Sequence, residues 1–166
     1  MERLKFQPKK SKEDFRKNYK LHDLAEFHGK NLFSQWGIEF QEFGKDRRNE
    51  NVWEKGKDKP DVIATYKKIN FLIDWKAKKK KSFWVNKRAI NSYKIWGNKL
   101  NCKVLICFFI FDEQNSIQER KFAIIGENKF FTLTNKAWDK NEVVSFEETL
   151  PDFKRNILIS KIVNNS

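Results

Sequence analysis

No stretch of this chain leaves the fold fewer choices than residues 59–81, KPDVIATYKKINFLIDWKAKKKK. Two β-type runs, residues 62–66 and 71–75, are joined by Lys67-Lys68-Ile69-Asn70, a connection of turn-tolerant residues that predicts a hairpin. Asp61 stands at the mouth of the first strand and Asp74 near the end of the second. Pairing therefore brings two carboxylates together at one edge of a sheet. Lys76 follows Asp74 by two residues, and strand periodicity puts both side chains on one face. Phe71, Ile73 and Trp75 then point the other way, into a core.

Two acids and an amine on one spot have a chemical use. Paired carboxylates make a hard oxygen site suited to Mg²⁺, which prefers one or two carboxylates plus a substrate phosphate. An ion held there polarises a phosphodiester and activates water, and the neighbouring ammonium orients that water or offsets charge on the phosphoryl oxygens. The same letters also read as a surface ion pair between Asp74 and Lys76, with Asp61 as a Pro-Asp turn residue. The Pro-Asp set one hairpin upstream favours the metal reading.

Pro60-Asp61, then Asp74-Trp75-Lys76 after a gap of twelve residues, resembles the signature of the PD-(D/E)XK nuclease superfamily, nearest in style to archaeal Holliday junction resolvases. The resemblance covers roughly residues 21–111. It implies a restriction-endonuclease-like α/β fold, a mixed central sheet with helices on both sides. It also implies Mg²⁺-dependent hydrolysis of DNA, with Mn²⁺ able to substitute. On this resemblance Asp61 and Asp74 bind the metal, the Trp75 carbonyl joins them, and Lys76 assists the attacking water. A first-helix glutamate completes the site in several branches, and Glu26 is the position matched to it. The other reading of Glu26 is an ordinary pair with Lys30, four residues on. Glu39 and Glu42 are held in reserve. The glutamine that many relatives carry in the following helix is missing, with Asn86 and Asn91 as substitutes. Homodimerisation, and roles in DNA recombination and repair, are carried over from the resemblance.

The rest of the chain fits around that core. At 166 residues it is expected to form one nuclease domain, residues 1–166, with 1–12 a basic arm, 21–111 the motif-bearing core and 112–166 further strands and a helix. Ser11 and Asp14 form a capping-box pattern. A helix over 21–36 follows, stopping at Gly37, with Leu21, Ala25, Leu32 and Trp36 on one stripe and Leu24 and His28 beside it. His28 reads as a core histidine; His22 flanks Glu26 and could touch metal or phosphate. A strand is expected over 38–43, an amphipathic helix over 83–100 with Val85, Ala89, Tyr93, Trp96 and Leu100 on one face, and a buried strand over 102–111 lying parallel to an earlier one. Residues 121–125 and 130–133 read as a further hairpin, 143–146 as an edge strand, and the chain from Pro151 as a terminal helix.

Charge completes the reading. The formal net charge of +13 points to a polyanion, nucleic acid before membrane. Candidate contacts are Lys45, Arg47, Arg48 and Trp53 in a long polar loop, Lys78, Lys79, Lys80 and Lys81 beside the acids, and Lys87 and Arg88 in the helix. No apolar run approaches a membrane span and no signal peptide is visible, so a cytoplasmic location is expected. Cys102 and Cys107 are expected as buried free thiols on opposite faces. The partner is DNA, branched or duplex. A restriction-type or homing endonuclease is the enzymatic alternative, and a nucleic-acid-binding module without cleavage is the alternative of another class.

Overall fold

The computed structural model describes residues 12–44, 58–138, 141–147 and 149–164. Residues 1–11 and the loop bearing Lys45, Arg47, Arg48 and Trp53 lie outside the described residues, so those contacts keep their standing as expectations. The elements in order are α1 (Lys12–Trp36), β1 (Glu39–Glu42), β2 (Val62–Tyr66), β3 (Ile69–Lys78), β4 (Trp84–Asn86), α2 (Lys87–Leu100), β5 (Lys103–Phe111), β6 (Ile117–Ile124), β7 (Phe130–Trp138), β8 (Asn141–Phe146) and α3 (Arg155–Val163). No helix among the described residues is long and apolar enough to cross a membrane.

A five-stranded sheet of order β1-β2-β3-β5-β6 forms the centre. Every pairing is antiparallel except β3 with β5, where α2 makes the crossover between parallel strands. The sheet is therefore mixed, as the sequence predicts. Its alternating side chains feed two cores. Phe71, Ile73, Trp75, Leu105, Cys107 and Phe109 pack with Ala25 and Phe33 of α1 and Leu158 of α3 on one face. Leu72, Val104, Ile106 and Phe108 pack with Ala89, Ile90 and Tyr93 of α2 on the other. Cys102 and Cys107 belong to opposite faces, unbridged, and burial raises both thiols above their usual range.

Several local expectations need correction. The helix expected over 21–36 is the second part of α1, which starts at Lys12. Among its described side chains Ala25, Glu26, Gly29 and Phe33 are buried, so Glu26 belongs to the inward stripe. The hairpin connection is two residues, not four. Lys67 and Lys68 take left-handed φ of 46° and 69°, and Tyr66 pairs directly with Ile69. That is the turn geometry whose twist suits a two-residue hairpin. Each lysine is strained by roughly 1–2 kcal/mol, which the ladder and the core on either side offset. β3 then runs on to Lys78, held by β5 to its last residue.

The expected helix over 83–100 begins only at Lys87. Trp84-Val85-Asn86 is extended and pairs with β8, which takes Val85 off the helical face. Along α2, Ala89, Ile90, Tyr93 and Gly97 are buried, while Leu100 is exposed. The hairpin over 121–133 does not form. β6 is captured by the open edge of β5, and β7 joins a second, three-stranded sheet of order β4-β8-β7. In that sheet residues 143–146 lie in the middle, not at an edge. Periodicity reports that a segment is a strand, but not which neighbour it pairs with.

Candidate active site

The hairpin fixes Asp61 through its backbone. Asp61 N–H donates to the Ile73 carbonyl at 2.9 Å, and the Asp61 carbonyl accepts from Phe43 N–H at 2.9 Å and Gly44 N–H at 3.1 Å. Gly44 must be glycine for this junction to close, since a Cβ there would lie 2.8 Å from the Pro60 carbonyl oxygen. β2 ends where Val62 pairs with Ile73, so the next edge positions of β3 have no strand beside them. The Asp61 carboxylate takes that place: its Oδ2 accepts from Trp75 N–H at 2.8 Å. The carbonyl and N–H of one strand residue point to the same side, so the Trp75 carbonyl faces the gap that β2 has left.

Asp74 and Lys76 lie on the α2 face of β3, and Trp75 lies fully buried on the α1 face. Asp74 is 3% exposed, deep for a carboxylate. Lys76 Nζ stands 3.0 Å from Asp74 Oδ2, an ion pair, yet that buried oxygen makes no hydrogen bond among the described residues. Burial, followed by the charge of Asp74, pushes Asp61 up to about 8, although the Trp75 N–H and Lys76 pull the other way. The charge of Asp74 thus disfavours ionisation of Asp61, and a cation beside both would relieve that. Burial works against the Lys76 ammonium, but Asp74, Asp61 and Asp58 outweigh it and hold its pKa above the usual value.

Two contributors escaped the sequence reading. Tyr93 of α2 is a core residue, as expected, but it also lies within the field of Asp74. Burial, then that carboxylate, pushes the phenol well above its usual range, so it stays protonated. Asp58 adds negative charge felt by Lys76 and Tyr93, and it pairs with Arg88 (Nε to Oδ2, 3.0 Å). The only signals were an acid three residues before Asp61 and a tyrosine on the helix after the motif.

Glu26 follows a separate path. α1 covers the α1 face of β3, with Gly29 pressed so close that a Cβ would fall 2.5 Å from the Trp75 ring. Glu26 is 7% exposed, and Lys30 Nζ meets its Oε1 at 2.7 Å. Lys30 also pairs with Glu42, so one ammonium ties the helix to β1. The i to i+4 pair thus exists, and reserve candidate Glu42 shares it, whereas Glu39 is exposed. His28 packs against Phe27 and Phe111 as a core-facing ring, at 5.6 and 6.0 Å. Asn86 leads into α2 with its Oδ1 buried and without a hydrogen-bond partner among the described residues, while Asn91 is exposed. Among the described residues no group of three or more His, Cys, Asp or Glu is assembled to hold a metal ion.

The basic candidates are unequal. Lys78 Nζ donates to the Trp84 carbonyl at 2.9 Å, and Lys79 Nζ to the Asp112 carbonyl at 2.9 Å and Asn115 Oδ1 at 2.5 Å. Lys81 lies 3.4 Å from Glu119 and Lys87 3.0 Å from Glu142. Lys80 is exposed.

No family model matches this sequence, and no curated protein does. In three dimensions the chain is similar to the 1.6 Å structure of Archaeoglobus fulgidus Hjc, a Holliday junction resolvase from an archaeal hyperthermophile. The TM-score is 0.50 at 10% sequence identity, over 73% of this chain and 85% of that one. The likeness is one of fold, and it agrees with the mixed sheet flanked by helices found here.

Proposed function

We propose that this protein is a divalent-metal-dependent nuclease that hydrolyses phosphodiester bonds in DNA. The observation that carries the proposal is the Asp61–Asp74 pair. Two carboxylates come together beside Lys76, and one buried oxygen, Asp74 Oδ2, makes no hydrogen bond among the described residues. An arrangement so short of positive charge fits a hard cation. Asp61, Asp74 and the Trp75 carbonyl would hold Mg²⁺, or Mn²⁺ in its place. The bound ion would supply Lewis acidity toward the phosphodiester and offset both carboxylates.

The chain's own groups do the rest. Lys76, raised in pKa and therefore charged, holds the attacking water and offsets charge building on the phosphoryl oxygens. Water adds to phosphorus, one ester bond breaks, and the products are a hydroxyl end and a phosphomonoester end. The fold likeness to a Holliday junction resolvase favours branched DNA as substrate, and a homodimer as the working form is carried over from the family resemblance alone. Restriction-type cleavage of plain duplex is the alternative substrate reading.

A non-cleaving DNA-binding module is the second reading, favoured by the want of a third ligating side chain among the described residues. One experiment separates them. A four-way junction, a linear duplex and a single strand are each incubated with protein in Mg²⁺ or EDTA. Cutting that needs Mg²⁺ and is lost in Asp61→Asn, with binding retained, supports the enzyme. Binding of all three without a cut, in wild type and variant alike, supports the module.

A further inference from the structure

We propose that the tip of the β2–β3 hairpin, Lys67 and Lys68 together with Arg155 of α3, is a second contact for the DNA backbone, at the end of the ribbon opposite the two carboxylates. This rests on the reading of DNA as the partner, and not on cleavage.

The tip is built against local preference. Lys67 and Lys68 both hold left-handed backbone, with φ of 46° and 69°. Asparagine and glycine occupy such a turn at little cost, whereas a lysine there crowds its Cβ against the backbone. Neither lysine recovers that cost by burial, since both are exposed. Arg155 is misplaced in a comparable way. It opens α3, whose first turn holds no acid, so a guanidinium stands at the positive end of the helix dipole. Local rules broken without a gain in packing are the mark of a surface kept for function.

The cations also converge. Tyr66, the residue before the turn, has Lys67 Nζ at 5.5 Å and the Arg155 guanidinium at 6.0 Å from its ring centre. That ring, and the 3.2 Å bond from Arg155 Nε to the Trp36 carbonyl, hold the guanidinium beside the turn. Lys67, Lys68 and Arg155 enter no ion pair among the described residues. Lys81, Lys87, Lys103 and Lys121 each meet a carboxylate. Cations grouped from two elements, with no acid paired to them, suit the phosphates of a nucleic-acid backbone and read no bases. Tyr66 ends β2 at the turn and Val62 begins it beside Asp61, so the contact falls on a stretch of DNA outside the site.

The test uses binding in EDTA, where no cutting is needed, on a four-way junction and a linear duplex over a range of salt. Lys67→Gln with Lys68→Gln removes both charges and keeps the backbone strain. The slope of log Kd against log salt should then fall by about two units, and Arg155→Gln on top of that pair should take about one unit more. Lys67→Arg with Lys68→Arg should keep the wild-type slope. Lys67→Asn with Lys68→Gly removes charge and strain together. It should show the same reduced slope and yet melt at a higher temperature than wild type. Weaker binding by a more stable chain is a result that damage to the fold cannot imitate. An unchanged slope in both charge-removing pairs overturns the contact and leaves DNA as the partner. A melting temperature that does not rise in the last pair removes the strain argument and overturns it too. A wild type that binds neither DNA overturns the contact and the DNA reading together.

Discussion

The two faces of β3 are built from the same ten residues and do opposite things. Toward α1 stand Phe71, Ile73 and Trp75, all at 0% exposure, with the bare Gly29 backbone closed down on the indole. Toward α2 stand Leu72, Asp74, Lys76 and Lys78, an apolar residue followed by three ionisable ones. The first face is over-determined by packing: Phe33, Phe109 and Phe153 all ring Trp75, at 5.2, 6.1 and 6.2 Å. The second is charged: Asp74 and Lys76 stand 3.0 Å apart beside Asp61, and Lys78 follows two residues on. The contrast teaches that rigidity and charge strain are carried by alternate residues of one strand. Trp75 cannot move, so its neighbours Asp74 and Lys76 cannot swing apart to relieve their crowding.

The largest expected effect lies on the charged face. Asp61→Asn keeps an oxygen for the Trp75 N–H but removes one charge of the pair. Cleavage should fall on the order of a thousandfold, several kcal/mol of transition-state stabilisation. The melting temperature in EDTA at pH 8 should not fall, and a large drop in it would break the division between the faces. The mirror experiment is Trp75→Ala, which removes a fully buried ring and should cost about 3–5 kcal/mol of stability in urea unfolding.

A finer cut is Gly29→Ala. Alanine gains at most about 1 kcal/mol as a helix former, but its Cβ meets an indole that cannot retreat. Overpacking of about 1–3 kcal/mol should win, and denaturant titration should show net loss. A stabilised variant would mean that α1 is free to lift from the sheet.

The pH dependence sharpens the same contrast. Asp61 is raised from 3.8 to about 8, so the folded chain keeps a proton that the unfolded chain releases. Without metal, stability from this group is present at low pH and is lost as pH rises through 4 to 8. Metal must displace that proton, so Mg²⁺ affinity should weaken up to about tenfold per unit below pH 8. Calorimetry across pH 6 to 9 reads the affinity, and thermal melts in EDTA read the stability. Asp61→Asn should flatten both curves; an unchanged slope in that variant would assign the titration elsewhere. The smallest effect is expected from Lys80→Ala, an exposed residue beyond the strand. It should lower the salt slope of DNA binding by about one unit and leave cleavage of bound DNA alone.

The hairpin, the facing of Asp74 and Lys76 against Phe71, Ile73 and Trp75, and the parallel strand after the helix were legible from local pattern. They follow from a two-residue period and the apolar content of short runs, properties each segment carries by itself. Even there the turn was misjudged, because Lys67-Lys68 carries none of the glycine or asparagine that marks a left-handed pair.

By itself, then, the sequence determined that two acids and a lysine meet on one ribbon of strand, since those residues are neighbours in register. Only the tertiary structure decided what surrounds them. Tyr93 of α2 lies in the field of Asp74, Asp58 comes in ahead of β2, Lys30 joins Glu26 to Glu42, and β7 leaves β6 for a second sheet. These are contacts between segments far apart in the chain. Their free energy depends on which surfaces bury each other, and no periodicity within one segment encodes that choice.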